Sequence, residues 1–455
     1  MNLNKIKQNV LRVIKPTKKE REFLDSFIKE LLSMAKLKCE KYRADAIIVG
    51  STGKQTWLRG DYDIDMFLMF PYSLSREALE EKGMKLAKLI AKRFTNEIKI
   101  SYAEHPYVQA YINRNGYKFK VDIVPCYMIR KGQKIKSAVD RSPLHLSYIL
   151  QNMNPTLRDE ARLLKQFCKG IGVYGSDTKN CGVSGYVLEI LTMFYGRFED
   201  TLQNISKWSY GTRIDLEGKS KKRFKDPLIV IDPTDKNRNA AAALSAENFM
   251  KLIKKSKDFL SNPSEKFFFP TKNKLTKYQL QLLKKRGTKF LAIIFDKPKV
   301  VDDIVYPQLR KTRKRIKKLL EQQEFRVIRD TVWCSESKCL IVIELEVWSL
   351  PKIKKIIGPE VWYKKRSEEF LSKYKNYASF VENNRWVAEK EREFLTASKF
   401  LGYIIKSEKI ENLGFGSYVA QKLKKGKIVE HEDFWTFVEH NKMFSNFLRE
   451  KYFES

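Results

Sequence analysis

The pattern with the most chemical content is Val49-Gly50-Ser51, followed after eleven residues by Asp63-Ile64-Asp65-Met66. Side chains two apart in a strand point to the same side. Asp63 and Asp65 would therefore share a face, roughly 6–7 Å apart at Cα, with Ile64 and Met66 on the opposite, buried face. Two hard carboxylates with little else suit Mg²⁺, which takes oxygen ligands and completes its shell with substrate phosphates. Two such ions about 4 Å apart can activate a hydroxyl and stabilise a leaving pyrophosphate. Gly50-Ser51 at a strand-to-helix turn would offer backbone N–H groups and a hydroxyl to a triphosphate. Asp61 lies on the same face, but beside Gly60 it reads equally as a turn cap. Asp-x-Asp in isolation reads as a solvated strand face; the preceding Gly-Ser gives it weight.

A site of this kind needs a third carboxylate from a neighbouring strand. Asp122 fits, within Phe119-Lys120-Val121-Asp122-Ile123-Val124. A charge in an otherwise apolar strand is costly to bury unless it is paired or metal-bound. The competing reading is an ordinary buried ion pair.

The elements that must position these residues follow from periodicity. Thr17 and Glu20 have capping-box spacing, and Leu24, Phe27, Ile28, Leu31 and Leu32 recur at helical intervals. Ala46–Val49 and Asp65–Phe70 read as short buried strands, and Ser75 opens a helix to about Phe94. Val108–Ile112 and Tyr117–Val124 flank Asn115-Gly116, a hairpin turn. Residues 1–145 thus predict a small α+β domain with one mixed sheet. Residues 147–260 read as mostly helical, with Thr156 and Ser184 as caps and Lys219–Lys225 as a basic loop. Asn262-Pro263-Ser264 reads as a linker, and a later hairpin spans Val327–Cys334 and Cys339–Trp348.

Lys and Arg total 89 against 54 Asp and Glu, a formal charge of +35. An excess this large implies a polyanionic partner, RNA or DNA first, although solubilising charge is the plain alternative. The helix Leu309–Phe325 concentrates it: seven cations and no acid from Leu309 to Leu320. Leu309, Ile316, Leu319 and Leu320 would pack inward, leaving Arg310, Arg313, Arg315 and Lys317 as candidate phosphate contacts. The six cysteines are scattered without a Cys-x-x-Cys pair, and there are four histidines. Neither a zinc finger nor a disulfide framework is predicted. No apolar run is long enough to cross a bilayer, so a cytoplasmic, reducing setting is expected. A homodimer is left open.

The carboxylate pattern resembles the DNA polymerase β superfamily of nucleotidyltransferases. GSTGKQTWLRGDYDIDMFLMFP, SYAEHPYVQAYI, VDIVPCY, KSAVDRSPLH, RLLKQFCKGIGVYG, GVSGYVLEILTMFYG, DPTDKNRNAAAALS, VDDIVYPQL and ENNRWVAEKE together resemble the archaeal CCA-adding enzymes, in the same order, from about residue 20 to 400. The resemblance implies an α+β protein. A polymerase β-like palm would span 1–146 and a helical neck for nucleotide recognition 147–262. A tRNA-binding body would span 263–325 with 401–455, and a tRNA-binding tail 326–400. It implies template-independent addition of C, C and A to a tRNA 3′ end from CTP and ATP. Asp63, Asp65 and Asp122 would bind two Mg²⁺ ions. Ser51, Lys54, His145, Lys165 and Tyr174 would bind the nucleotide, and Arg238 would read its base. Asp63 stands where Glu is common, and Lys54 where Arg is. Taken without the resemblance, Lys165 reads as a solvated helix residue, Tyr174 as core and His145 as a cap or a packing residue. His105 is a candidate for orienting the carboxylates. A poly(A) or poly(U) polymerase of the same superfamily and a non-enzymatic RNA-binding protein are the rival readings.

Overall fold

The computed structural model describes residues 3–453 apart from 103–104, 131–132, 219, 272 and 409. Lys219 of the basic loop lies outside the described residues. The chain divides into two units, Met1–Thr271 and Lys272–Ser455.

In the first unit, helices α1 (Leu3–Ile14) and α2 (Lys18–Cys39) precede strand β1 (Asp45–Val49). Thr17 caps α2 with Glu20 in the reciprocal box expected. One turn, α3 (Gly50–Gly53), leads to β2 (Asp63–Phe70); then come α4 (Arg76–Phe94), β3 (Ile98–Tyr102), β4 (Pro106–Arg114) and β5 (Tyr117–Tyr127). These strands form one mixed sheet in the order β1-β2-β5-β4-β3. The β2–β5 pairing is parallel and the rest are antiparallel. Asn115 and Gly116 both have positive φ at the β4–β5 turn, the backbone an Asn-Gly hairpin requires. On one sheet face Ile64, Met66, Leu68, Val121 and Ile123 pack against Phe27 and Leu31 of α2 and Leu86 and Ile90 of α4. The other face carries the three aspartates at one end of β2 and β5 and a small apolar cluster beyond them, closed by Leu146.

The remaining elements of this unit are α5 (Arg141–Asn152), α6 (Pro155–Gly170), α7 (Gly185–Tyr195), α8 (Phe198–Ile205), a three-stranded sheet of β6 (Thr212–Ile214), β7 (Leu228–Asp232) and β8 (Asp235–Asn239), and α9 (Ala246–Ser261). Three expectations change here. The segment 147–260, expected to be mostly helical, also holds a sheet whose central strand Leu228–Asp232 is fully buried, a run too short to show a period. Asn154, not Thr156, caps α6, with Pro155 as the first helical residue. Residues 1–146 do not pack as one body: Ile6, Val10 and Ile14 of α1 join the core of α6–α9 with Leu164, Phe167, Leu188, Phe198 and Phe259. Lys7 pairs there with Glu160 and Glu199.

The second unit runs α10 (Lys277–Lys284), β9 (Lys289–Asp296), α11 (Asp302–Gln322), β10 (Val327–Cys334), β11 (Lys338–Leu345), β12 (Ile353–Glu360), α12 (Lys364–Lys373), β13 (Ala378–Glu382), β14 (Arg385–Glu391), α13 (Ala397–Lys406), α14 (Ser417–Leu423), β15 (Lys427–Glu430), α15 (His431–His440) and α16 (Lys442–Phe453). The hairpin β10–β11 is the one expected, ending three residues sooner. It belongs to a four-stranded sheet, β10-β11-β9-β15, so a boundary at residue 326 would cut that sheet; β12-β14-β13 form the separate one. Across the hairpin Cys334 faces Cys339 in register, and the two are disulfide-bonded with Cα atoms 4.1 Å apart. The expectation of no disulfide missed this pair because strand register joins them, not a cysteine motif. No helix among the described residues is long and apolar enough to cross a membrane.

Candidate active site

The register of the parallel pair sets the site. Asp65 of β2 lies directly beside Asp122 of β5, and Asp63 beside Lys120. The sheet thus brings Asp63 and Asp65, singled out by spacing, together with Asp122, singled out as a charge in an apolar strand. Gln109 of β4 is opposite Asp122 and donates to it at 3.1 Å. The Lys120 ammonium donates to the other Asp122 oxygen, also at 3.1 Å. Burial, reinforced by the negative charge of Asp122, lifts the Asp65 carboxyl to about 6. Burial also raises Asp63, against the pull of Lys120. Lys120 is held protonated by Asp122 despite its own burial. Among the protein's own groups, Lys120 is the positive charge set against this anionic cluster. The cluster's oxygen-only donor set fits a hard divalent ion. Among the described residues no group of three His, Cys, Asp or Glu side chains is placed to hold a metal ion on its own. A site that shares its ion with substrate phosphates needs none.

Gly50 ends β1 against this cluster. Its φ is +65°, and a Cβ there would sit 1.8 Å from an Asp65 carboxylate oxygen. Glycine is required on both counts: left-handed backbone and close approach. Ser51 follows on α3, half-buried, and Thr52 Oγ1 donates to the Asp63 carbonyl at 2.7 Å, tying the turn to β2. Asp61 does not cap a turn; it pairs with Lys169 at 2.5 Å.

Lys54 and Lys165 are both buried. Their ammonium groups share the Glu189 carboxylate at 3.0 and 2.6 Å, and Thr56 donates to the same group at 2.5 Å. Against its complete burial, Lys165 and Lys54 hold Glu189 down at about 2. Lys165 is therefore not the solvated helix residue its bland reading suggested. Burial pulls the Lys165 amine below its ordinary value, with Glu189 opposing. Tyr174 packs at the edge of the helical core, bridged to Val183.

His145 and Arg238 meet on one residue, the fully buried Asp232. His145 Nε2 lies 2.9 Å from Asp232 Oδ2 and Arg238 donates to the same oxygen at 2.8 Å. The Tyr186 hydroxyl donates to Oδ1 at 3.0 Å. The Tyr186 ring stacks on His145 at 3.8 Å, and the Lys54 ammonium lies 4.7 Å from the centre of the same tyrosine ring. Burial lowers the pKa of His145, with Asp232 opposing. His105 is buried, its Nε2 has no partner, and it makes no hydrogen bond to the three aspartates among the described residues.

Sequence reasoning missed Lys120, Gln109, Tyr186, Glu189 and Asp232. The signal for both acids was the one used for Asp122, a carboxylate inside an apolar run, Val187-Leu188-Glu189-Ile190-Leu191 and Leu228-Ile229-Val230-Ile231-Asp232.

The basic helix α11 buries Leu309, Ile316 and Leu320 as expected. The candidate cations on it are half-buried and engaged within their own unit. Arg313 pairs with Asp330 at 2.9 Å, Arg315 donates to the Leu413 carbonyl at 2.7 Å, and Lys317 lies 3.8 Å from Glu321. Arg310 lies over the Tyr306 ring. Lys311, Lys314 and Lys318 form the exposed row.

A mixed sheet with three aspartates at one end of two adjacent inner strands, a Gly-Ser turn beside them and buried cations nearby defines a nucleotidyltransferase. Residues 24–145 match the family model described as a nucleotidyltransferase domain, 159–269 that of the tRNA nucleotidyltransferase second domain, and 286–431 that of the CCA-adding enzyme C-terminal domain. The CCA-adding enzyme of Methanosarcina mazei is 38% identical over 94% of this chain and 94% of its own. That of Methanothermobacter thermautotrophicus is 38% identical over 93% and 92%, and that of Methanocaldococcus jannaschii 37% over 94% and 96%. The chain belongs to the CCA-adding enzymes, tRNA nucleotidyltransferases that build the terminal C-C-A without a template.

Proposed function

We propose that Asp63, Asp65 and Asp122 hold the divalent ions, Mg²⁺ in the first instance, for transfer of CMP twice and AMP once to a tRNA 3′-hydroxyl, releasing pyrophosphate each time. The observation that carries this is the register placing Asp65 beside Asp122, with the Lys120 ammonium as the counter-cation on the pair. Bound there, the ions would supply Lewis acidity to the attacking hydroxyl and to the leaving phosphates.

The protein's own groups orient the rest. Ser51 and the Gly50 turn would meet the triphosphate, and Lys54 and Lys165, sharing Glu189, would offset its charge. Lys54 acts as a point charge, since it lacks the two-pronged geometry of arginine. Tyr174 and His145 would bound the nucleotide and Arg238 would meet the base edge. C and A both present a ring-nitrogen acceptor beside an exocyclic amine, whereas at that ring position U and G present an N–H, beside a carbonyl. A fixed arginine donates only, so it matches C and A. Arg310, Arg313, Arg315 and Lys317 would shape the tRNA-facing surface of α11, which holds RNA by backbone and shape, as an enzyme for all tRNAs requires.

The test is incubation with tRNA lacking its CCA end, Mg²⁺ and each nucleotide separately and together. Addition of C, C and A followed by arrest is expected. Long A or U tails would sink this reading while sparing the carboxylate chemistry.

A further inference from the structure

We infer that Asp232 is a positioning residue that fixes Arg238 and His145 as one unit, so that selection of CTP and ATP over UTP and GTP depends on a carboxylate that need not touch the nucleotide. The inference rests on Arg238 being the base reader. Asp232 is completely buried and accepts hydrogen bonds from five groups. Oδ2 takes Arg238 and His145 Nε2, and Oδ1 takes the Tyr186 hydroxyl and the Thr234 backbone N–H and hydroxyl. Every lone-pair direction of the carboxylate is thus used, and none is left to meet a substrate.

The consequence for Arg238 is orientation. A guanidinium with one nitrogen held at 2.8 Å presents its remaining N–H donors along fixed directions. Its side chain is otherwise 35% exposed and would sample several rotamers. Freedom of that kind blunts discrimination, because a mobile donor can turn away from a mismatched N–H instead of clashing with it. The consequence for His145 is its tautomer. A ring nitrogen facing a carboxylate that cannot donate must carry the proton, so the neutral ring has Nε2–H and a lone pair on Nδ1. The Tyr186 ring stacked at 3.8 Å holds the ring plane. His145 can then accept, through Nδ1, from a hydroxyl or amine of the bound nucleotide.

Asp232→Asn tests this, since it keeps the shape but turns an amide donor toward Arg238 and His145. The ratio of kcat/KM for CTP to that for UTP should fall about tenfold in Asp232→Asn and in Arg238→Ala, and no further in the double variant. A loss in Arg238→Ala with an unchanged ratio in Asp232→Asn overturns the positioning role and leaves Arg238 as reader. An unchanged ratio in Arg238→Ala overturns the reading of Arg238 itself. A fall in kcat/KM equal for all four nucleotides would mark Asp232 as merely structural. Should Asp232→Asn fail to fold, ¹⁵N spectra of the wild-type protein decide. The chain has four histidines, and His145 is assigned by its loss in His145→Gln. Protonated Nε2 with bare Nδ1 is expected, and the opposite tautomer overturns the proposal.

Discussion

Asp65 and Asp122 sit side by side because a parallel register puts them there, and the charge of Asp122 adds to burial in raising the cost of ionising Asp65. Asp65 titrates near 6 in the folded protein, against about 3.9 in an unfolded chain. A carboxyl raised on folding adds stability that is present below about pH 4 and lost as pH climbs through 6. The metal-free protein should therefore lose stability over that interval, and Mg²⁺ should restore it. The Mg²⁺-induced rise in Tm should be larger at pH 7.5 than at pH 5, and equal shifts at both would count against these aspartates as the ligands. Asp65→Asn should raise the metal-free Tm at pH 7.5 by roughly 2–4 °C while removing activity. Asp63→Asn and Asp122→Asn should likewise lower kcat by several orders of magnitude, with tRNA affinity unchanged in a binding assay. Activity surviving in two of the three would dismiss the assignment.

At the scale of elements, the β1–α3 turn and helix α11 make opposite demands. The turn tolerates nothing larger than glycine at its first residue. Gly50→Ala should lower kcat about a hundredfold, the effect of misplacing reacting groups by about 1 Å, because the new methyl group would displace Asp65. Gly60→Ala is the control: its φ is also positive, but nothing lies within 4 Å of its Cβ, so only backbone strain of about 1 kcal/mol is expected. Equal losses in the two would mean that strain, not contact with Asp65, makes Gly50 necessary. On α11 the distinction is between cations that hold the fold and cations that face outward. Reversing Arg313, Arg315 and Lys317 together breaks the Asp330 and Leu413 hydrogen bonds, so it should lower Tm as well as raise the KM for tRNA. Lys311→Glu with Lys314→Glu and Lys318→Glu should raise the KM for tRNA alone, leaving Tm and the KM for nucleotides in place.

For the whole molecule, a charge of +35 implies that tRNA affinity falls steeply with salt. Every lysine that pairs with a phosphate adds roughly 0.7–0.9 to the steepness of log K against log salt. The triple lysine variant should therefore be shallower by roughly 2–3 if all three meet phosphate. A slope already flat in the wild type would place the RNA away from this basic surface.

The strands β1 and β2, the Asn-Gly hairpin, the capped helices and the carboxylates on one face were legible from the chain alone. Each is set by alternation, capping or turn chemistry, which act over a few residues. The inward stripe of α11 was legible for the same reason. Pairing between distant segments was not. Periodicity says that Asp63 and Asp65 share a face, but only the β2–β5 register says that Asp65 adjoins Asp122. Glu189 lies 135 residues along the chain from Lys54 and 24 from Lys165, and the three meet because α6 and α7 pack beside the turn. The joining of α1 to the α6–α9 core and the gathering of His145 and Arg238 on Asp232 have the same origin. Local spacing decides which face a side chain takes, and only packing decides what that face meets.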